Sequence, residues 1–187
     1  MSLQLTRVPE RAKAKPPLVL AVLALGGPTE RSALAHLLWE DSAHARSNLR
    51  VELHRLARGP FADAVNPTGT HVTVSPQLVS DVATARQRAA AGDTAGALDA
   101  AGPELLPWIE GAPGRLGEWL GAMRADWAAF YRETVHGAAR RAEDSGDLGE
   151  ARALARRASD LDPLSEDARR EWLRLCVLLR DAPAVSY

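Results

Sequence analysis

Between Arg31 and Arg58 the chain reads RSALAHLLWEDSAHARSNLRVELHRLAR, and its leucine spacing admits little besides two short helices joined by a turn. Leu34, Leu37 and Leu38 form the buried side of a first helix over Glu30 to Glu40, with Thr29 placed to cap it and Trp39 near its end. At about 100° per residue, Leu49, Leu53 and Leu56 fall on one side of a second helix over Ala45 to Arg58. Ser47, Val51, His54 and Arg58 then fall on the other side, with Arg50 and Arg55 on its flanks. A helix with a leucine back and a narrow basic front has the shape to enter a DNA major groove, where arginine forks to guanine O6 and N7 and to phosphates. Taken alone, the same helix is equally well read as a solvated surface helix.

The next stretch of chain narrows the choice. After Gly59 and Pro60, the segment AVNPTGTHVTV (64–74) sets two β-branched runs around Asn66-Pro67-Thr68-Gly69, a hairpin signal. Helix, turn, basic helix and hairpin is the order of a winged helix, whose hairpin tip lies beside the minor groove and the sugar-phosphate backbone. Thr68, Thr70 and His71 are the expected wing contacts. A hairpin that only covers the core fits the same pattern.

An apolar fraction of 46% over 187 residues supports real cores and excludes a disordered chain, with room for one large or two small domains. The net charge is −1, so nucleic-acid affinity cannot come from the molecule as a whole. Residues 1–60 carry nine Lys and Arg against five Asp and Glu, and the rest carries 14 against 19. A basic first part and an acidic second part suit a DNA-binding module attached to a protein-binding one. The single cysteine, Cys176, lies in an apolar run and excludes an internal disulfide framework or a cysteine-based zinc site. Lys13 and Lys15 before Leu18 to Leu25 imitate a signal peptide, but the run is short, opened by Pro16-Pro17 and closed by Gly26-Gly27-Pro28. No segment has the length to span a membrane, and a cytoplasmic protein is the default expectation.

Leu3 and Leu5 suggest a strand within Met1 to Val8, and Pro17 to Leu25 a buried helix. From Asp81 onward the sequence is rich in Ala, Leu and Arg with no convincing strand. Helices are expected over Val82 to Ala91, Thr94 to Ala101, Arg115 to Asp144, Leu148 to Asp160 and Leu164 to Leu179, the last capped by Asp162-Pro163. Gly102 to Trp108 is an irregular connector holding apolar anchors. AAAGDTAGALDAAG and AEDSGDLGEARALARRA echo each other as helix, Gly-Asp turn and helix, the layout of tetratricopeptide-like hairpins. The expected fold is therefore mostly α. It has an N-terminal winged helix-turn-helix domain (1–78) followed by an all-α tetratricopeptide-like helical domain (79–187).

With the pieces in this order, the chain resembles the bacterial transcriptional activators of the antibiotic-regulatory-protein type. These join a winged helix to a tetratricopeptide-like bacterial transcriptional activator domain. ALGGP, LLW and ARSNLRVELHRL follow that family's spacing, TGTHVTVSPQLVSDV resembles its wing and exit, and GDTAGALDAAGPELLPWIEG, RADWAAFYRET and SGDLGEARALARRASDLDPLSEDARREWLRL resemble its second domain. The resemblance implies that Ala45 to Arg58 is the recognition helix and that Arg46, Arg50, His54 and Arg55 contact DNA. Ser47 and Asn48 would bond phosphate or fix the helix entrance. It also implies side-by-side binding at direct-repeat promoter sites and contact with RNA polymerase.

Three features depart from the family. The N-terminal sheet is shorter, which removes a surface that others use against polymerase. Glu52 and His54 stand where the family has a denser arginine run, so a lower phosphate affinity that depends on pH through His54 is expected. Ala184 to Tyr187 reads as the opening of another helix, so the helical domain is either cut short or a short version.

No metal-protease helix, P-loop or redox cysteine pair is present, and Gly26-Gly27-Pro28-Thr29 is better explained as turn plus cap. The histidines lack ligand spacing, so neither metal nor cofactor is expected, and the chain does not read as an enzyme. The expected partners are double-stranded promoter DNA and RNA polymerase, with Trp119, Trp127 and Trp172 able to support a homodimer. A sharply different reading is a protein-interaction adaptor that works through its helical half and whose winged helix does not bind DNA.

Overall fold

The computed structural model describes residues 2–6 and 15–179, which form eight α-helices and five short strands. Contacts gather into two compact units, one from Met1–Thr84 with Ala101–Asp126, the other from Ala85–Ala100 with Trp127–Tyr187. The sequence reading divides the chain once, after residue 78, whereas this grouping follows the chain back and forth. Lys13, Pro183 and the final segment Ala184 to Tyr187 lie outside the described residues.

In the first unit, α1 (Lys15–Gly26) has no polar face, and Val19 to Leu23 are buried all round it. It packs against α3 (Ala45–Arg58) and β4 (His71–Val74). Between them come β2 (Thr29–Glu30) and α2 (Arg31–Leu38). The expected cap by Thr29 is not formed. Its hydroxyl donates to the Gly27 carbonyl at 2.9 Å, because Thr29 is drawn into β2, and Glu30 takes the cap position, where its carboxylate accepts from the Ser32 hydroxyl at 2.6 Å and caps no backbone N–H of the helix. A sheet ordered β2-β4-β3 completes this part, with β3 at Val65–Thr68. Thr29 pairs with Val72, and Val65 with Val74 through Thr68 with His71, all antiparallel.

The hairpin is real, but its turn is Gly69-Thr70, not Asn66 to Gly69. Pro67 is accommodated because β3 is an edge strand. Gly69, at φ +56°, supplies the left-handed residue that a two-residue hairpin loop favours.

The expected N-terminal strand shrinks to β1 (Ser2–Leu3), which runs parallel to β5 (Val79–Ser80); residues 7 and 8 are not among those described. The chain stops pairing because Asp81, buried at the start of α4 (Asp81–Ala90), captures its next backbone donors. One Asp81 oxygen accepts from Leu5 N at 2.8 Å; the other accepts from Thr6 N at 2.9 Å and Thr6 Oγ1 at 2.7 Å. Thr6 Oγ1 in turn accepts from Gly102 N, and Leu5 O accepts from Leu106 N, which ties the connector to the N-terminal segment. Leu105 and Leu106 are buried there as the expected anchors. Arg124 holds the connector by donating to the carbonyls of Leu105, Leu106 and Ile109 at 2.7–3.0 Å.

The second unit is helical: the later part of α4, α5 (Thr94–Ala100), the later part of α6 (Gly114–Asp144), α7 (Leu148–Leu161) and α8 (Glu166–Leu178). The two echoing sequence segments share one hydrogen-bond pattern. In each, the residue after the glycine reaches back five residues, Asp93 N to Arg88 O and Asp147 N to Ala142 O, closing the first helix. The same aspartates then cap the next helix, accepting from Gly96 N at 2.8 Å and Glu150 N at 3.0 Å.

α8 starts later than expected. Ser165 caps it by accepting from Ala168 N at 3.3 Å, and Leu164 is left outside, 93% exposed. Trp127 and Tyr131 are fully buried, with Arg86 over the Trp127 and Phe130 rings and Arg157 donating to the Tyr131 hydroxyl. Burial raises the Tyr131 phenol's pKa, opposed by Arg157, so the ring stays neutral. Ala151, Ala155 and Leu175 pack α7 on α8, and Cys176 is buried beside them in the chain. Arg174 on α8 bridges Glu171 and Glu143, and its hydrogen bond lowers the Glu143 pKa. A lowered carboxylate pKa contributes stability above its ordinary value, lost as pH falls through the lowered one.

Asp81→Ala would leave buried donors at Leu5 and Thr6 without an acceptor. It is expected to cost about 2–4 kcal/mol, read as a lower urea midpoint.

Candidate nucleic-acid interface

Helix α3 spans Ala45–Arg58, the expected bounds of the reading helix. Its buried side is built from Ala45, Leu49 and Leu56, with Leu53 half-buried. Arg46, Ser47, Arg50, Val51, His54, Arg55 and Arg58 are all exposed. Val51, at 48% exposure, is an apolar side chain in the middle of a polar face.

The start of α3 is set by the preceding turn. Ser42 N donates to Trp39 O and Ala45 N to Ser42 O, while Ser42 Oγ accepts from His44 N at 3.2 Å and from Asn48 Nδ2 at 3.4 Å. Of the two roles expected for Asn48, the structure therefore shows an internal bond at the helix entrance. Ser47, one residue earlier, remains on the exposed side.

Arg46 and Arg50 line a groove of about 450 Å³ together with Leu49 and Leu53, the first residues of α2 and the hairpin turn Gly69-Thr70. The backbone bond from Arg31 N to Thr70 O, 2.8 Å, fixes the turn beside α2. Thr70 is thus brought to the two arginines. His71 is exposed next to it, its ring Nδ1 at 3.1 Å from Thr70 Oγ1. The Thr68 side chain lies outside the described residues. Ser47, Val51, His54 and Arg58 do not line the groove and occupy the open side of the helix.

Two residues escaped the sequence reading. Arg31 lines the same groove, yet only the pairing of β2 with β4 brings it there. Glu52 is buried, and Arg55 Nη1 pairs with its Oε1 at 2.8 Å while Oε2 has no hydrogen-bond partner among the described residues. A helical wheel carries part of that signal, since Glu52 lies about 60° from Leu49 and about 40° beyond Leu56, just outside the leucine stripe. Arg55 is consequently committed on one side to its own helix. Among the described residues, no group of three or more His, Cys, Asp or Glu is placed to hold a metal ion. Nor is any described helix long and apolar enough to cross a membrane.

A scan against protein-family models finds none that matches the chain, and a search of curated proteins finds no match either.

Removing Arg55 and removing Arg50 are expected to differ in kind. Arg55→Ala strands a carboxylate whose side chain is 7% exposed and costs about 1–3 kcal/mol. Arg50→Ala, on an exposed side chain, stays within about 0.5 kcal/mol. Denaturant midpoints of the two variants test the contrast.

Proposed function

We propose that the chain is a sequence-specific DNA-binding transcriptional regulator, an activator, that reads a major groove with α3. In this reading, α1 to β4 form a winged helix with the Gly69-Thr70 turn as wing tip. The helices from α4 onward form a tetratricopeptide-like region that contacts protein partners, RNA polymerase among them, in the cytoplasm. The observation that carries it is the exposed side of α3, where Arg46, Ser47, Arg50, Val51, His54 and Arg58 stand clear of the core. Arg46 and Arg50 also share a groove with the hairpin turn. A helix about 10–12 Å across with arginines on its open side fits a major groove, and an exposed Val51 suits a thymine methyl. The division of charge adds support, since the basic residues concentrate in 1–60 while the remainder is acidic.

A second reading, a protein-interaction adaptor with a winged helix that does not bind DNA, draws on the end of α8. There Val177 and Leu178 are 61% and 53% exposed. Exposed apolar side chains at the end of a helical stack suit a protein partner.

Fluorescence anisotropy with sites selected from a random duplex pool separates the two. The regulator binds a selected sequence with an affinity that falls steeply with salt. Arg50→Ala weakens it by about 1–3 kcal/mol with relaxed sequence preference if Arg50 contacts a base. Binding equal to the parent in an Arg46→Ala/Arg50→Ala variant removes α3 from the reading role. No binding by the parent at low salt favours the adaptor.

A further inference from the structure

Helix α6 begins with no acidic residue in its first turn, so nothing local offsets its exposed N–H groups. The missing acceptor comes from far along the chain, because Glu40 Oε2 accepts from Arg115 N at 2.8 Å and Glu40 Oε1 lies 3.1 Å from Arg115 Nε. Gly114 is shaped for this approach. A Cβ there would stand 2.2 Å from Glu40 Oε2, and its φ of +56° disfavours any other residue. Glu40 belongs to the turn between α2 and α3, two residues before Ser42, whose hydroxyl and carbonyl hold His44, Ala45 and Asn48.

From this geometry we infer that Glu40 and Arg115 are positioning residues for α3: the start of α6 clasps the turn that aims the helix. A surface ion pair alone contributes little. Here the carboxylate also caps a helix end, which confines it in direction as well as distance. A cavity of about 490 Å³, lined by Leu37, Leu38, Trp39 and Leu116 among others, adjoins the clasp, so a released turn has space to move. The effect on DNA rests on the proposed regulator function; the effect on the turn does not.

The test uses the full chain and two readouts, deuterium exchange of amides 42–48 and 115–118, and affinity for a selected duplex. Glu40→Ala is expected to raise exchange in both segments. It weakens DNA binding roughly three- to tenfold. The salt slope stays that of the parent, because no phosphate contact is removed. Glu40→Gln, which keeps an acceptor for Arg115 N–H, recovers most of the affinity. Should Glu40→Ala not fold, Arg115→Gln breaks the guanidinium half alone and is read by the same exchange. Faster exchange at 115–118 with 42–48 and affinity unchanged overturns the inference and leaves a local cap. Faster exchange at 42–48 with no DNA binding by the parent supports the clasp and overturns the DNA reading instead.

Discussion

The first unit depends on one carboxylate. Asp81 accepts two backbone donors and a hydroxyl from Leu5 and Thr6, and Thr6 and Leu5 pass the connection to Gly102 and Leu106. Three stretches distant in sequence therefore meet at a buried aspartate. Each buried donor left without an acceptor costs more than a satisfied bond contributes, so the arrangement is close to all-or-none. The same aspartate opens α4, which means that the end of the strand and the start of the helix are set by one group.

On α3 two demands compete for the same arginines. The helix must bury one side, and Glu52 is included in that side with the Arg55 guanidinium beside it. Arg55 is therefore partly a structural residue, whereas Arg46 and Arg50 are left to the groove. Under the proposed DNA-binding function, an acid under a basic face leaves phosphate affinity to a few well-placed arginines more than to bulk charge.

Much of the architecture was legible because it follows local rules. The leucine period yields the bounds of α3, and the repeated Gly-Asp pair marks two junctions with the same backbone bonds. The turn of the hairpin was misplaced because Asn-Pro-Thr-Gly carries turn chemistry along its whole length, and only strand pairing decides which residues bend. Thr29 misled for a related reason, since a β-branched hydroxyl suits a cap and a strand alike, and pairing with Val72 drew it into the sheet. The N-terminal alternation looked like a strand until Asp81 competed for its donors. Of the interface, the exposed face of α3 was readable from periodicity. Arg31's place in the groove was not, because it depends on β2 meeting β4 across about forty residues of sequence.

Pro67 carries a consequence of another kind. It lies in β3, the outer strand of the β2-β4-β3 sheet, opposite Val72. The residues flanking a two-residue loop form the hydrogen-bonded pair, so the next position inward turns its backbone nitrogen outward. There proline lacks the donor that an incoming strand would need, and the open edge is a poor template for β-addition. The hairpin thus ends the sheet at β3 without inviting another chain to extend it.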